Sequence, residues 1–131
     1  MEFFAEIEDT APGALQIYEL VTIKRLPELC ASIDSVISIE SAVSGEIYCV
    51  WGQFQVSRER IRNGVRVALL NCPHALAWTV ALKEDSGNVV IHCTIDDREA
   101  EDEFVETIEQ FVADWADGLQ KLLPTFDRQD L

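Results

Sequence analysis

The chain has 131 residues, of which 24 are Asp or Glu and 10 are Lys or Arg, giving a formal charge of −14 at pH 7. A surface of that sign repels nucleic-acid phosphates and anionic lipid headgroups, so neither is expected as a partner. With 48% apolar and 26% charged residues, the composition is that of a single globular domain spanning 1–131, too short for a second and too apolar for disorder.

No apolar run nears the roughly 20 residues of a membrane span. The opening MEFFAEIED is acidic where a secretory leader is basic, so a cytoplasmic protein without membrane association is expected. Cys30, Cys49, Cys72 and Cys93 include no CxxC pair and are expected as reduced, mostly buried thiols, with Cys49 the one placed for exposure.

In chain order, Phe3, Ala5 and Ile7 alternate with Glu2, Phe4, Glu6 and Glu8, the period of a short strand. Ala11-Pro12-Gly13 marks a turn. The stretch that follows reads either as a second strand and then a short helix from about Pro27, or as one helix through Leu15, Tyr18, Thr22, Leu26, Leu29 and Ile33. Proline is tolerated in the first turn of a helix and not in its middle, which favours a break near Leu26.

A hairpin is expected over about 36–56. With Ser44-Gly45 as its turn, Val43 opposes Glu46, Ser41 opposes Tyr48 and Ile39 opposes Val50; that face, continued by Phe54 and Val56, is the buried one. Ile47, Cys49 and Trp51 then fall on the other face. There Trp51 is either covered by a helix or presented to a partner as an aromatic anchor.

Residues 57–72 admit two readings. As a strand pair turning at Asn63-Gly64 they place Arg60 and Arg62 on the face of Val65 and Val67. As a helix capped by Ser57 they line up Ile61, Gly64, Val65, Ala68, Leu69 and Cys72 with the arginines outward, and this reading is marginally favoured.

A further hairpin over about 75–95, turning at Ser86-Gly87, pairs Leu82 with Ile91, Val80 with Cys93 and Trp78 with Ile95 on one apolar face. An amphipathic helix follows over about 97–123, capped by Asp96 or Asp97. Phe104, Ile108, Phe111, Trp115, Leu119 and Leu122 fall on its single stripe, which should pack on that face. Pro124 ends it, and the tail 124–131 reads as frayed, with Phe126 able to dock. The fold class is therefore α+β: an antiparallel sheet with the long C-terminal helix and one or two others packed on it.

An acidic meandering sheet between helices resembles, in arrangement and charge alone, the dedicated secretion chaperones, and no motif carries the likeness. The functional expectation is a non-enzymatic protein-interaction module, an adaptor, chaperone or inhibitor able to form a homodimer, that binds a basic or hydrophobic protein partner. Ile47 and Trp51 would supply the contact and Glu99, Glu103 and Glu106 a charged rim. The alternative is a regulatory domain whose anionic ligand meets Arg58, Arg60, Arg62 and Arg66, since guanidinium forks suit carboxylate and phosphate. Cys72-Pro73-His74 and His92-Cys93 carry zinc-type donors. The hairpin register puts His92 and Cys93 on opposite faces, however, so no metal, cofactor or catalytic residue is expected.

Overall fold

The computed structural model describes residues 1–10 and 12–123. Seven strands form one antiparallel sheet in the order β1-β7-β6-β5-β4-β3-β2. They are β1 (Glu2–Ile7), β2 (Ile33–Ser41), β3 (Ser44–Cys49), β4 (Gly52–Ile61), β5 (Gly64–Leu69), β6 (Ala77–Leu82) and β7 (Val89–Thr94). Six strands thus form an unbroken meander, and the N-terminal strand closes against the last of them. Helices α1 (Ala14–Leu20), α2 (Leu26–Leu29) and α3 (Asp102–Leu122) complete the α+β fold, with a 3-10 turn at Ile23–Arg25.

The alternation of β7 shows how the layers arise. Val89, Ile91 and Cys93 are buried, whereas Val90, His92 and Thr94 are half-buried on the opposite face. The first set joins Trp78 and Val80 beneath α3, whose Ile108, Phe111, Val112, Trp115 and Leu119 are buried. Trp78 meets Phe111 edge-on at 4.9 Å between ring centroids and Trp115 at 5.8 Å. Burying each such side chain contributes roughly 1.5–3 kcal/mol.

The expected β6–β7 hairpin is present with its faces as read, but its register differs by two residues. Leu82 opposes Val89, Val80 opposes Ile91 and Trp78 opposes Cys93. A four-residue loop, 84–87, replaces the two-residue turn, closed by Lys83 N–H donating to the Asn88 carbonyl at 2.8 Å. Because side chains repeat every second residue, an even shift leaves every one on its own face.

The 36–56 segment departs further. It holds two turns, Ala42-Val43 and Val50-Trp51, so three strands stand where one hairpin was expected. The second turn reverses parity: Phe54 and Val56 pack inward as expected, but so do Ile47 and Cys49, opposite Phe54 and Gly52. Gly52, at φ +119°, supplies the left-handed backbone that this turn needs. Ile39 and Val50, expected in the core, are exposed.

Residues 57–72 are the strand pair and not the favoured helix. Their turn is Arg62-Asn63, and Arg58 opposes Val67 while Arg60 opposes Val65. Near the N-terminus β1 forms as read, but the segment after the expected turn is helical at Ala14–Leu20, where a second strand had been one reading. The break before Leu26 is present, with Pro27 in the first turn of α2. The C-terminal helix begins five residues later than expected, at Asp102, with Glu101 and not Asp96 or Asp97 at its N-cap. The tail 124–131, with Phe126, and Ala11 of the expected turn lie outside the described residues.

Candidate functional site

Two adjoining depressions open where the β5–β6 loop meets the approach to α3. One, of about 490 Å³, is lined by His74, Asp97, Glu99, Ala100, Glu101 and Phe104. The other, of about 230 Å³, is lined by Trp51, Phe54, Cys72, Pro73, His74, Leu76 and Phe104. His74 and Phe104 belong to both, so the two form one cleft with an apolar half and an acidic half.

The chain builds this cleft from loops held by backbone hydrogen bonds. Cys72-Pro73-His74 makes a turn in which Ala75 N–H donates to the Cys72 carbonyl at 3.0 Å, and Ala75 takes φ +50°, a sparsely populated conformation for a residue with a Cβ. Asp96 N–H donates to the His74 carbonyl at 2.9 Å, tying this turn to the 95–101 loop. His74 Nδ1 lies 3.0 Å from Asp97 Oδ2, and its ring is 4.3 Å from that of Phe104. The Met1 ammonium donates to the Asp97 carbonyl at 2.9 Å.

The sequence-derived partner residues reach different destinations. Ile47 is fully buried in the core, not on an outer face, so it offers no partner contact. Trp51 does line the cleft, yet α3 covers much of it: its ring lies 5.0 Å from Phe111 and 6.1 Å from Phe104, and Nε1 donates to Thr107 Oγ1 at 2.9 Å. Glu99 lines the acidic half, in the loop before α3, whereas Glu103 and Glu106 are exposed in the first turns of α3 and outside the cleft lining.

The arginines do not converge. Arg58 is buried on the helix-facing side, where Nη1 donates to the Val21 carbonyl at 2.6 Å and the guanidinium sits 3.9 Å over the Tyr18 ring. Arg66 is on the opposite face and pairs with Glu59 at 3.3 Å; Arg62 is 3.7 Å from Glu84. Arg60 is exposed.

His74, Asp97 and Phe104 were missed as a group, because 23 residues separate His74 from Asp97 and only the fold brings them together. The Cys72-Pro73-His74 tripeptide was the one visible signal. Among the described residues no hydrogen bond joins Cys72 to His74, and no three His, Cys, Asp or Glu side chains gather as metal ligands. All four cysteines are free, and Cys72, not Cys49, is the partly exposed one. Burial pushes the Cys30 and Cys93 thiols up to about 12 and raises that of Cys49. His92 and Cys93 do lie on opposite faces, His92 against Phe4 at 4.4 Å between rings and Cys93 in the core.

The fold and the cleft describe a compact acidic α+β protein with one face of its sheet under helices. No family model and no curated protein matches the sequence. Among the solved structures that share the fold are two from Bacillus species. An uncharacterised protein of Bacillus thuringiensis is 16% identical, with a TM-score of 0.60 over 93% of this chain and 96% of that one. The protein XoxI of Bacillus cereus is 18% identical, with a TM-score of 0.61 over 93% of both chains. At such identities the likeness is one of fold. No helix among the described residues is long and apolar enough to cross a membrane.

Proposed function

We propose that this protein is a non-enzymatic interaction module of the cytoplasm, an adaptor, dedicated chaperone or inhibitor, that takes a basic and partly apolar segment of a partner protein into the His74–Phe104 cleft. One observation carries the reading: a single cleft joins apolar walls, Trp51, Phe54, Leu76 and Phe104, to a carboxylate rim, Asp97, Glu99 and Glu101. A lysine or arginine side chain suits such a site, because its alkyl stem lies along apolar surface while its charge reaches carboxylates. The net charge of −14 would draw a basic partner from a distance and raise its association rate. Asp97, held by His74, fixes one carboxylate of the rim in place.

The test is calorimetric titration of the native protein with blocked hexapeptides of mixed leucine and arginine, beside glutamate-for-arginine counterparts. Binding of the arginine set alone, weakened by salt and by the double substitution Glu99→Gln/Glu101→Gln, supports the reading. Equal binding of both sets, or no effect of the substitutions, rejects it.

A further inference from the structure

The sheet has two edges, and they are built differently. β2 pairs with β3 through three register shifts in nine residues, irregularities that bend an edge away from further pairing. β1 at the other edge is regular, each residue from Glu2 to Ile7 opposing one residue of β7.

Met1 and Ile95 exchange hydrogen bonds in both directions, at 3.1 Å each. In an antiparallel ladder such pairs alternate, so Phe3, Ala5 and Ile7 turn their N–H and C=O groups toward β7. Glu2, Phe4 and Glu6 therefore direct theirs outward, where among the described residues no strand lies.

A groove of about 360 Å³ runs beside this free edge, between Phe3, Phe4 and Ala5 of β1 and Glu109, Val112 and Ala113 of α3. An edge strand beside a helix is the geometry in which extended peptides add to a sheet, backbone bonds giving affinity and alternate side chains entering the groove. Asp102, Glu106, Glu109 and Ala113 follow one another at helical spacing along this side of α3. β1 contains no lysine or arginine, and the basic residue of α3, Lys121, lies in its last turn, beyond the groove lining. Both walls are thus negative or neutral, and Ala113 leaves room for a long side chain.

We propose that the β1–α3 groove is a strand-addition site for an extended partner segment in which lysine or arginine alternates with apolar residues. The charge of the walls selects this occupant over a second copy of the chain. Pairing β1 with β1 of another copy would bring two lines of helix carboxylates, Asp102, Glu106 and Glu109 of each copy, toward one another, whereas Glu2 and Glu6 face His92 and Lys83 on the other side of the sheet. The site is separate from the His74 cleft, and either can fail without the other.

The experiment titrates the isotope-labelled intact protein with three blocked heptapeptides: alternating lysine and valine, the same with its central valine replaced by proline, and alternating glutamate and valine. The lysine–valine peptide should slow amide exchange at Phe4 and Glu6, and the proline version should bind about tenfold more weakly or worse, because it cannot complete the ladder. Glu109→Lys, an exposed helix position that leaves the core untouched, should weaken the lysine peptide and not disturb the fold. The proposal is overturned if the proline or glutamate peptide binds as well as the first, if none binds, or if perturbation is confined to His74, Trp51 and Phe104. It is equally overturned if Phe4 and Glu6 are already protected in a dimer without peptide, which would make a second copy the occupant.

Discussion

Trp51 Nε1 donates to Thr107 Oγ1 across 2.9 Å, fastening the β3–β4 turn to the second turn of α3. The indole is thereby a wall of the cleft and a strut of the fold at once. Trp51→Phe keeps the ring contacts with Phe104 and Phe111 and should cost about 0.5–1.5 kcal/mol for the lost hydrogen bond. Trp51→Ala removes the contacts as well and should cost about 2–4 kcal/mol in urea unfolding. An alanine variant as stable as the parent would make Trp51 a free anchor.

Gly118 sits in α3 where a Cβ would stand 1.9 Å from the Leu29 carbonyl oxygen and 2.5 Å from its carbon. From helix propensity alone, glycine to alanine gains about 1 kcal/mol. The close approach of α2 reverses the sign: Gly118→Ala should destabilise by about 1–3 kcal/mol or more, as overpacking does. Thermal unfolding reads this directly, and a raised Tm would contradict the contact.

Arg58 is a buried cation whose guanidinium meets the Val21 carbonyl and the Tyr18 ring, and its Nε bonds to nothing among the described residues. Arg58→Ala loses the packing of the stem along with both contacts and should cost about 2–4 kcal/mol. Arg58→Met keeps the apolar volume and removes the unsatisfied Nε, so it should recover much of that loss in denaturant unfolding. If methionine were no better than alanine, the charge and not the packing would be the stabilising part.

Cys30 and Cys93 are held as thiols by burial, up to about 12, against an ordinary 9.0 in the unfolded chain. Since the folded values are the raised ones, the stability they support is fully present below 9, and it is lost as pH climbs from there toward about 12. Unfolding free energy should therefore fall over that range, and Cys30→Ser/Cys93→Ala should flatten the fall. In the native protein at mildly alkaline pH, a thiol reagent should label Cys72 first, because it is the only cysteine that is not buried. Early labelling of Cys30 would contradict this.

What the sequence disclosed followed from how local each signal was. The apolar stripe of α3 and the faces of β6 and β7 repeat over many residues, so both survived a register wrong by two. The β3–β4 turn hides in Val50-Trp51, residues without turn character, and only Gly52 marks it. Reading through it as one strand reversed the parity of Ile47 and sent a core residue to the surface. Asn63-Gly64 did carry a hairpin signal, but Arg60 and Arg62 on the face of Val65 and Val67 argued against it, and in the structure Arg58 and Arg60 take those places. A charged residue on the core-facing side is credible only once Tyr18 and Val21 are seen to receive it. The His74–Asp97 pairing had no local trace beyond the Cys72-Pro73-His74 turn, because it depends on how the loops at one end of the sheet meet.

The central claim, a basic segment held in the His74–Phe104 cleft, is tested most directly by titrating a leucine–arginine hexapeptide into the native protein and the Glu99→Gln/Glu101→Gln variant at low and high salt. A cleft that works as proposed gives native affinity that falls as salt rises, an affinity about five- to tenfold lower in the variant, and a weaker salt response there. Equal affinities in the two proteins, unchanged by salt, would contradict it.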